Sequence, residues 1–152
     1  MNSIQRDKLW PSVAESEKAF EWFFPGVPGP KGSWDVMPNG KFVNNSTTGK
    51  AFDKAVRKEL RCLNVPIMDG ALYVKMVAVM PVPDTYKRGK NSRWGEPHTV
   101  PCDADKIMRL MGDAMTGVIY NDDAQIAMNA LYKRYKLDED EQTVVHVKIW
   151  RL

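Results

Sequence analysis

Aspartates gather in the C-terminal half of this chain as Asp103-Ala-Asp105, Asp113 and Asp122-Asp123, although the net charge is +3. Carboxylates concentrated on a basic chain suit hard-metal chemistry on a polyanion, because oxygen ligands match Mg²⁺ and surplus cations attract phosphate. Pro101 disfavours helix at Val100, and Ile107, Leu110, Met111 and Ala114 then recur at helical spacing. A helix is therefore predicted from about Ala104 to Thr116, with Gly117 as its stop. Asp103 and Asp105 fall at its start, where exposed backbone N–H groups favour anions; either could equally be an N-cap.

Asp105, Arg109 and Asp113 follow one another at intervals of four and share one stripe of that helix, whereas Lys106 lies off it. Asp105 and Asp113 are about 12 Å apart along the axis, too far to share one ion with ligand bonds of about 2.1 Å. Asp113 is accordingly read as a supporting, structural or DNA-side residue. Beyond Gly117, Val118 to Tyr120 forms a short β-prone run, followed by Asn121-Asp122-Asp123-Ala-Gln125-Ile126. A turn here could bring Asp123 back beside Asp103 and Asp105 and complete an oxygen-only ligand set, able to activate water at a phosphate. Asp122 reads as turn chemistry or as a carboxylate supporting Asp123.

The run Asp103-Ala-Asp105-Lys-Ile-Met-Arg109-Leu-Met-Gly-Asp113-Ala-Met-Thr-Gly117, continued through Asp122-Asp123-Ala-Gln125-Ile126, resembles the signature of the RusA family of Holliday junction resolvases. That signature reads roughly D-x-D-N-x-x-K, D-A-L-x-G, then D-D-x-Q-V. The similarity is strongest over about residues 97–150. Phe23-Phe24-Pro25-Gly26-Val-Pro28-Gly-Pro30-Lys31-Gly32 is also similar to the first strand and loop of phage members. The resemblance implies a Mg²⁺-dependent endodeoxyribonuclease, with Mn²⁺ as a substitute, acting as a homodimer on four-way junctions; the first-strand pattern leans towards a phage or prophage origin, with a bacterial chromosome left open.

Position by position, the resemblance puts the essential carboxylates at Asp103, Asp105 and Asp123, and the catalytic lysine at Arg109. The asparagine after the second aspartate is Lys106 here. Arginine keeps the charge but is a planar fork that does not readily give up a proton, so Lys106 is the alternative source of an amine. Two other functions stay open: a nuclease that trims flaps or forks, and a junction-binding protein weakened by the change at position 109. An acidic protein-interaction surface is a third class, disfavoured by the basic loop nearby.

These residues must be held by one α+β domain. The chain of 152 residues, 43% hydrophobic and 27% charged, suffices for a single core. The expected architecture is a small mixed sheet with two main helices packed on it, spanning residues 19–152, preceded by an extension over 1–18. Residues 5–19 read as a polar helix or a loosely attached segment. Phe20 to Phe24 is a predicted strand, followed by a Pro/Gly-rich loop to about Gly40. Thr47 or Thr48 can cap a helix to about Leu63, with Phe52, Val56, Leu60 and Leu63 buried. Strands are predicted at Leu72 to Val79, Val118 to Tyr120, and about 124–134 and 143–150, with a hairpin turn at Asp138 to Glu141.

The long loop over 81–100 carries Lys87, Arg88, Lys90, Arg93 and Trp94 just before the acidic motif. With Lys31, these are candidates to neutralise DNA phosphates, and Trp94 could stack on an opened base. Lys50, Lys54, Arg57, Lys58 and Arg61 add a basic group to the first helix, which ordinary amphipathicity explains as well as DNA contact does. Lys133, Arg134 and Lys136 are weaker candidates. Cys62 and Cys102 make no CxxC or Cys/His cluster, and His98 and His146 are isolated, so neither zinc nor a disulfide framework is implied. No apolar stretch approaches about 20 residues and the polar N-terminus has no signal-peptide core, giving a cytoplasmic expectation.

Overall fold

The computed structural model describes residues 13–14, 17–29, 34–36, 42–44 and 47–152. The main sheet has four strands: β1 (Phe20–Pro25), β4 (Leu72–Met80), β5 (Ile126–Tyr135) and β6 (Val144–Arg151). Two short strands, β2 (Trp34–Val36) and β3 (Phe42–Asn44), pair antiparallel in a separate ribbon, β2 inside the stretch expected to be a Pro/Gly-rich loop and β3 just beyond it. The helices are α1 (Thr47–Leu63) and α2 (Ala104–Met115). The fold is thus the expected small α+β domain with a mixed sheet and two main helices.

Alternation decides which face of each strand is covered. In β4, Leu72, Val74, Met76, Ala78 and Met80 are buried, and in β6 the same holds for Val145, Val147 and Ile149. The helices close this face: Phe52, Val56 and Leu60 recur every four residues along α1, and Ile107, Leu110, Met111, Ala114 and Met115 line α2. Together they form one core cluster with Phe20, Phe24, Met68 and Tyr120. Trp150 is also buried, with its indole N–H donating to Ala14 O, and Trp22 is half-buried against Glu59. After α1 the chain turns at Asn64, whose φ of 48° is the left-handed geometry that ends helices.

The strand order is β1-β6-β4-β5, with β4 and β5 parallel and the other neighbours antiparallel. The expected hairpin between the last two strands is therefore absent, because β4 lies between them. Asp138 still makes a turn, accepting from the N–H groups of Asp140 and Glu141, but that turn carries the chain across the end of β4. Residues 118–120 do not form a strand either. Val118 N–H donates to Met115 O and Gly117 N–H to Tyr120 O, so the chain bonds to itself and only isolated bridges to Met68 and Thr116 remain. The expected helix over 5–19 lies largely outside the described residues. No helix among the described residues is long and apolar enough to cross a membrane.

The unit β4–α2–β5 is a parallel crossover, so α2 runs against the direction of both strands. Its N-terminus stands at the carboxyl end of β4, the end at which open α/β units commonly bind ligands.

Candidate active site

The stretch leading to α2 is held on β5. His98 N–H donates to Lys133 O and Tyr135 N–H to Glu96 O, covering the outer edge of β5 at its C-terminal end. The alternation of β5 turns Lys133 towards the helices. Its ammonium donates to Cys102 O at 2.6 Å and to Val100 O at 3.2 Å, so one cation fixes the backbone immediately before Asp103. The Cys102 thiol is buried below this backbone, and burial pushes its pKa up, which leaves it a packing group.

Asp103 has the extended N-cap conformation, and its C=O accepts the first helical bond from Ile107 N–H at 3.2 Å. Its carboxylate makes no capping bond to the backbone and instead pairs with Lys106 Nζ at 3.1 Å. That hydrogen bond raises the Lys106 pKa, so the amine stays charged. Two residues on, Asp105 stands 3.9 Å from Arg109 Nη2, an ion pair too long for a hydrogen bond. The side chains of Asp103, Asp105 and Arg109 are 59%, 69% and 64% exposed. Two solvated carboxylates and two cations thus share the surface at one helix end. Asp103 and Lys106 also border a cleft of about 330 Å³ whose apolar wall comes from Val27, Pro28, Met80 and Pro101.

The other candidates lie elsewhere. Asp113 is near the C-terminal end of α2, where its carbonyl accepts from Arg57 Nη2 at 3.0 Å. Asp122 closes a capping box: its carboxylate accepts from Ala124 N–H at 2.8 Å, while Gln125 Oε1 accepts from Asp122 N–H at 3.1 Å. Gln125 Nε2 donates to Met68 O and Gly70 O, so this turn ties the start of β5 to the start of β4. Asp123 is the first residue of the same turn and is exposed. Burial, reinforced by the Asp123 charge, raises the pKa of Tyr120, whose hydroxyl donates to Gly112 O.

Asp123 therefore does not return to Asp103 and Asp105 within the chain. The intervening helix has 12 residues, about 18 Å of axis, and it delivers the chain to the far end of the sheet where the next parallel strand must start. Among the described residues, no three His, Cys, Asp or Glu side chains come close enough to hold a metal ion together. The Asp103–Asp105 pair nevertheless fits a hard cation in kind, since Mg²⁺ is commonly held by one or two carboxylates, with water and substrate phosphate filling the other positions.

The basic loop is tied down by its own groups. Lys87 pairs with Asp84 at 2.8 Å, Arg93 lies 4.5 Å from the centre of the Tyr86 ring, and the Trp94 indole N–H donates to Lys87 O at 3.0 Å. Arg88 and Lys90 are exposed, and Trp94 is half-buried. Lys31 lies outside the described residues.

Sequence reasoning underrated Lys133. The available signal was the alternation of β5, which puts Leu131, Lys133 and Tyr135 on the covered face of the sheet.

The family description Endodeoxyribonuclease RusA matches residues 25–149. Among curated proteins, none matches the chain. The matched span contains the Asp103–Asp105 pair, the lysine clamp behind it and the Asp122–Gln125 turn, and the chain belongs to the RusA family of endodeoxyribonucleases.

Proposed function

We propose that this RusA-family nuclease resolves four-way DNA junctions by paired nicks, as a Mg²⁺-dependent homodimer in which Mn²⁺ can substitute. The observation that carries the reading is the solvated Asp103–Asp105 pair at the start of α2, flanked by Lys106 and Arg109, with Asp103 and Lys106 bordering a cleft. A polyanion approaching a bare carboxylate pair would be repelled; the two cations and the backbone N–H groups of the helix end offset that repulsion. A divalent cation held by Asp103 and Asp105 would supply charge neutralisation and an acidified water.

The chain's own groups bind and orient. Arg109 is placed to take up negative charge on the scissile phosphate, as its fork can donate two parallel hydrogen bonds. Lys106, kept protonated by Asp103, adds a second positive charge and a donor for the leaving oxygen. Arg88 and Lys90 carry neighbouring phosphates. Two-fold symmetry in the protein matches the paired strands of a junction. Asp123 lies one helix length away from the pair in its own chain, which favours its joining the site from the second copy.

The test uses end-labelled four-way junctions, with fork and linear duplex controls, in Mg²⁺ and in EDTA. Symmetric, metal-dependent nicks confined to junctions are expected, and Asp105→Asn should cut at least 100-fold more slowly while still retarding the junction. Single nicks on forks would replace this reading with a fork-trimming nuclease. Retardation without cutting by the unaltered chain would leave a junction-binding protein.

A further inference from the structure

A second cluster of cations lies away from the acidic pair, on α1. Lys54, Arg57, Lys58 and Arg61 recur at three- and four-residue intervals on the side of the helix opposite Phe52, Val56 and Leu60. With Asp53 and Cys62 they line a surface depression of about 500 Å³. The cluster is not neutralised internally. Asp53 is the only carboxylate among the lining residues, and both its oxygens accept from Arg57 Nε, at 3.0 and 3.1 Å. Lys54, Lys58 and Arg61 are exposed around that pair. The depression thus holds a fixed ion pair and an excess of positive charge.

Arg57 also locates this depression relative to the acidic site. Its Nη2 donates to Asp113 O in the last turns of α2, so the cations on α1 adjoin the C-terminal end of the helix whose start carries Asp103 and Asp105. Asp105, Arg109 and Asp113 mark the stripe between the two ends. The length of that stripe, about 12 Å, corresponds to roughly four nucleotides of duplex at 3.4 Å each. We infer that the α1 depression holds the phosphate backbone of a duplex DNA arm, starting about four base pairs from the phosphate at the Asp103–Asp105 pair. The register rests on the nuclease reading above, whereas binding in the depression can be read independently of cleavage.

Cys62 supplies that independent readout, because it lines the depression and is exposed, whereas Cys102 is buried with its pKa raised. Iodoacetamide modification of the full chain, followed by intact mass in EDTA, therefore reports on Cys62. A junction with arms of about 15 base pairs should slow the modification at least fivefold, and polyglutamate at equal charge should not. Substituting Lys54→Gln, Lys58→Gln and Arg61→Gln together should raise the junction Kd at least tenfold. The slope of log affinity against log salt should fall by about 2 to 3, one unit for each lost phosphate contact. With arms of about four base pairs the variant and parent should bind alike.

Retardation of the long-armed junction with Cys62 modified at its free rate and the salt slope unchanged would overturn the inference and leave the nuclease reading intact. Selective protection by polyglutamate would overturn it in favour of an acidic protein partner. Protection by DNA in a chain that cuts nothing in Mg²⁺ would keep the α1 site and remove the nuclease reading.

Discussion

Lys133→Met should damage the site without touching DNA. The substitution keeps a helix-facing apolar stem and removes an ammonium that donates to Cys102 O at 2.6 Å and Val100 O at 3.2 Å. Hydrogen bonds from a charged donor contribute roughly 1.5–3 kcal/mol each, and ordering a lysine side chain costs up to about 2 kcal/mol. The net loss is about 2 kcal/mol, which for a domain of this size lowers Tm by about 4–8 °C. The freed backbone leads directly into Asp103, and a displacement of about 1 Å at a reacting group costs on the order of 100-fold in rate. Single-turnover cleavage should therefore slow by about 10- to 100-fold, while junction Kd changes less than threefold. Lys133→Arg should recover part of both losses. An internal check comes from His98, whose imidazole is held below its ordinary pKa by burial and, secondarily, by the Lys133 charge. Removing that charge should raise the His98 pKa in an NMR titration. A Lys133→Met protein that keeps the parent Tm and cuts within twofold of the parent rate would refute the claim that this clamp positions the acidic pair.

Asp105→Asn and Asp123→Asn should each be inactive alone; mixed and refolded together they should regain about one quarter of parental nicking, since half the dimers then carry one intact site. No recovery from two inactive variants would exclude Asp123 acting from the second copy. Arg109→Lys should cut within about threefold of the parent if the residue acts by charge, and Arg109→Gln should lose about 100-fold; a rise of tenfold or more in the lysine variant would show that a proton-donating amine was missing. Hydrogen bonds from Lys18 and His146 hold Glu21 down to about 2 from an ordinary 4.5. Its contribution to stability is complete above pH 4.5 and lost as pH falls towards 2, so Glu21→Gln should flatten the Tm profile over that window. An unchanged profile would remove Glu21 from the acid response.

Periodicity made most of this domain legible. Apolar residues every four positions located α1 and α2, and alternation located β1, β4 and β6, because burial of one face leaves that mark on any sequence. Alternation is silent about neighbours, however. The pattern of β5 is the same whether it pairs with β6 through a hairpin or with β4 in parallel, and the turn at Asp138 looks alike in both cases. The acidic motif shows the same limit. Spacing placed Asp103 and Asp105 together at a helix start, where they are found, but it carried no direction for the helix axis. Only the parallel crossover reveals that Asp123 emerges at the opposite end. Lys133 looked like one of several surface cations because its importance comes from two backbone carbonyls about thirty residues away, and backbone acceptors leave no trace in residue types.

The pairing of β1 with β6 bears on when such a nuclease can become active during synthesis. Phe20 aligns with Ile149, and β6 is also the strand that joins β1 to β4. Among the described strands, the first to leave the ribosome thus waits for the last before it gains a partner. At about 5–20 residues per second that interval is on the order of 10 s. The crossover carrying Asp103 and Asp105 can form earlier, but β1 and the Val27–Pro28 wall beside the cleft cannot be fixed until then. A growing chain would therefore pass through a stage with acidic residues but an unfinished cleft, which delays DNA cutting until the domain has closed.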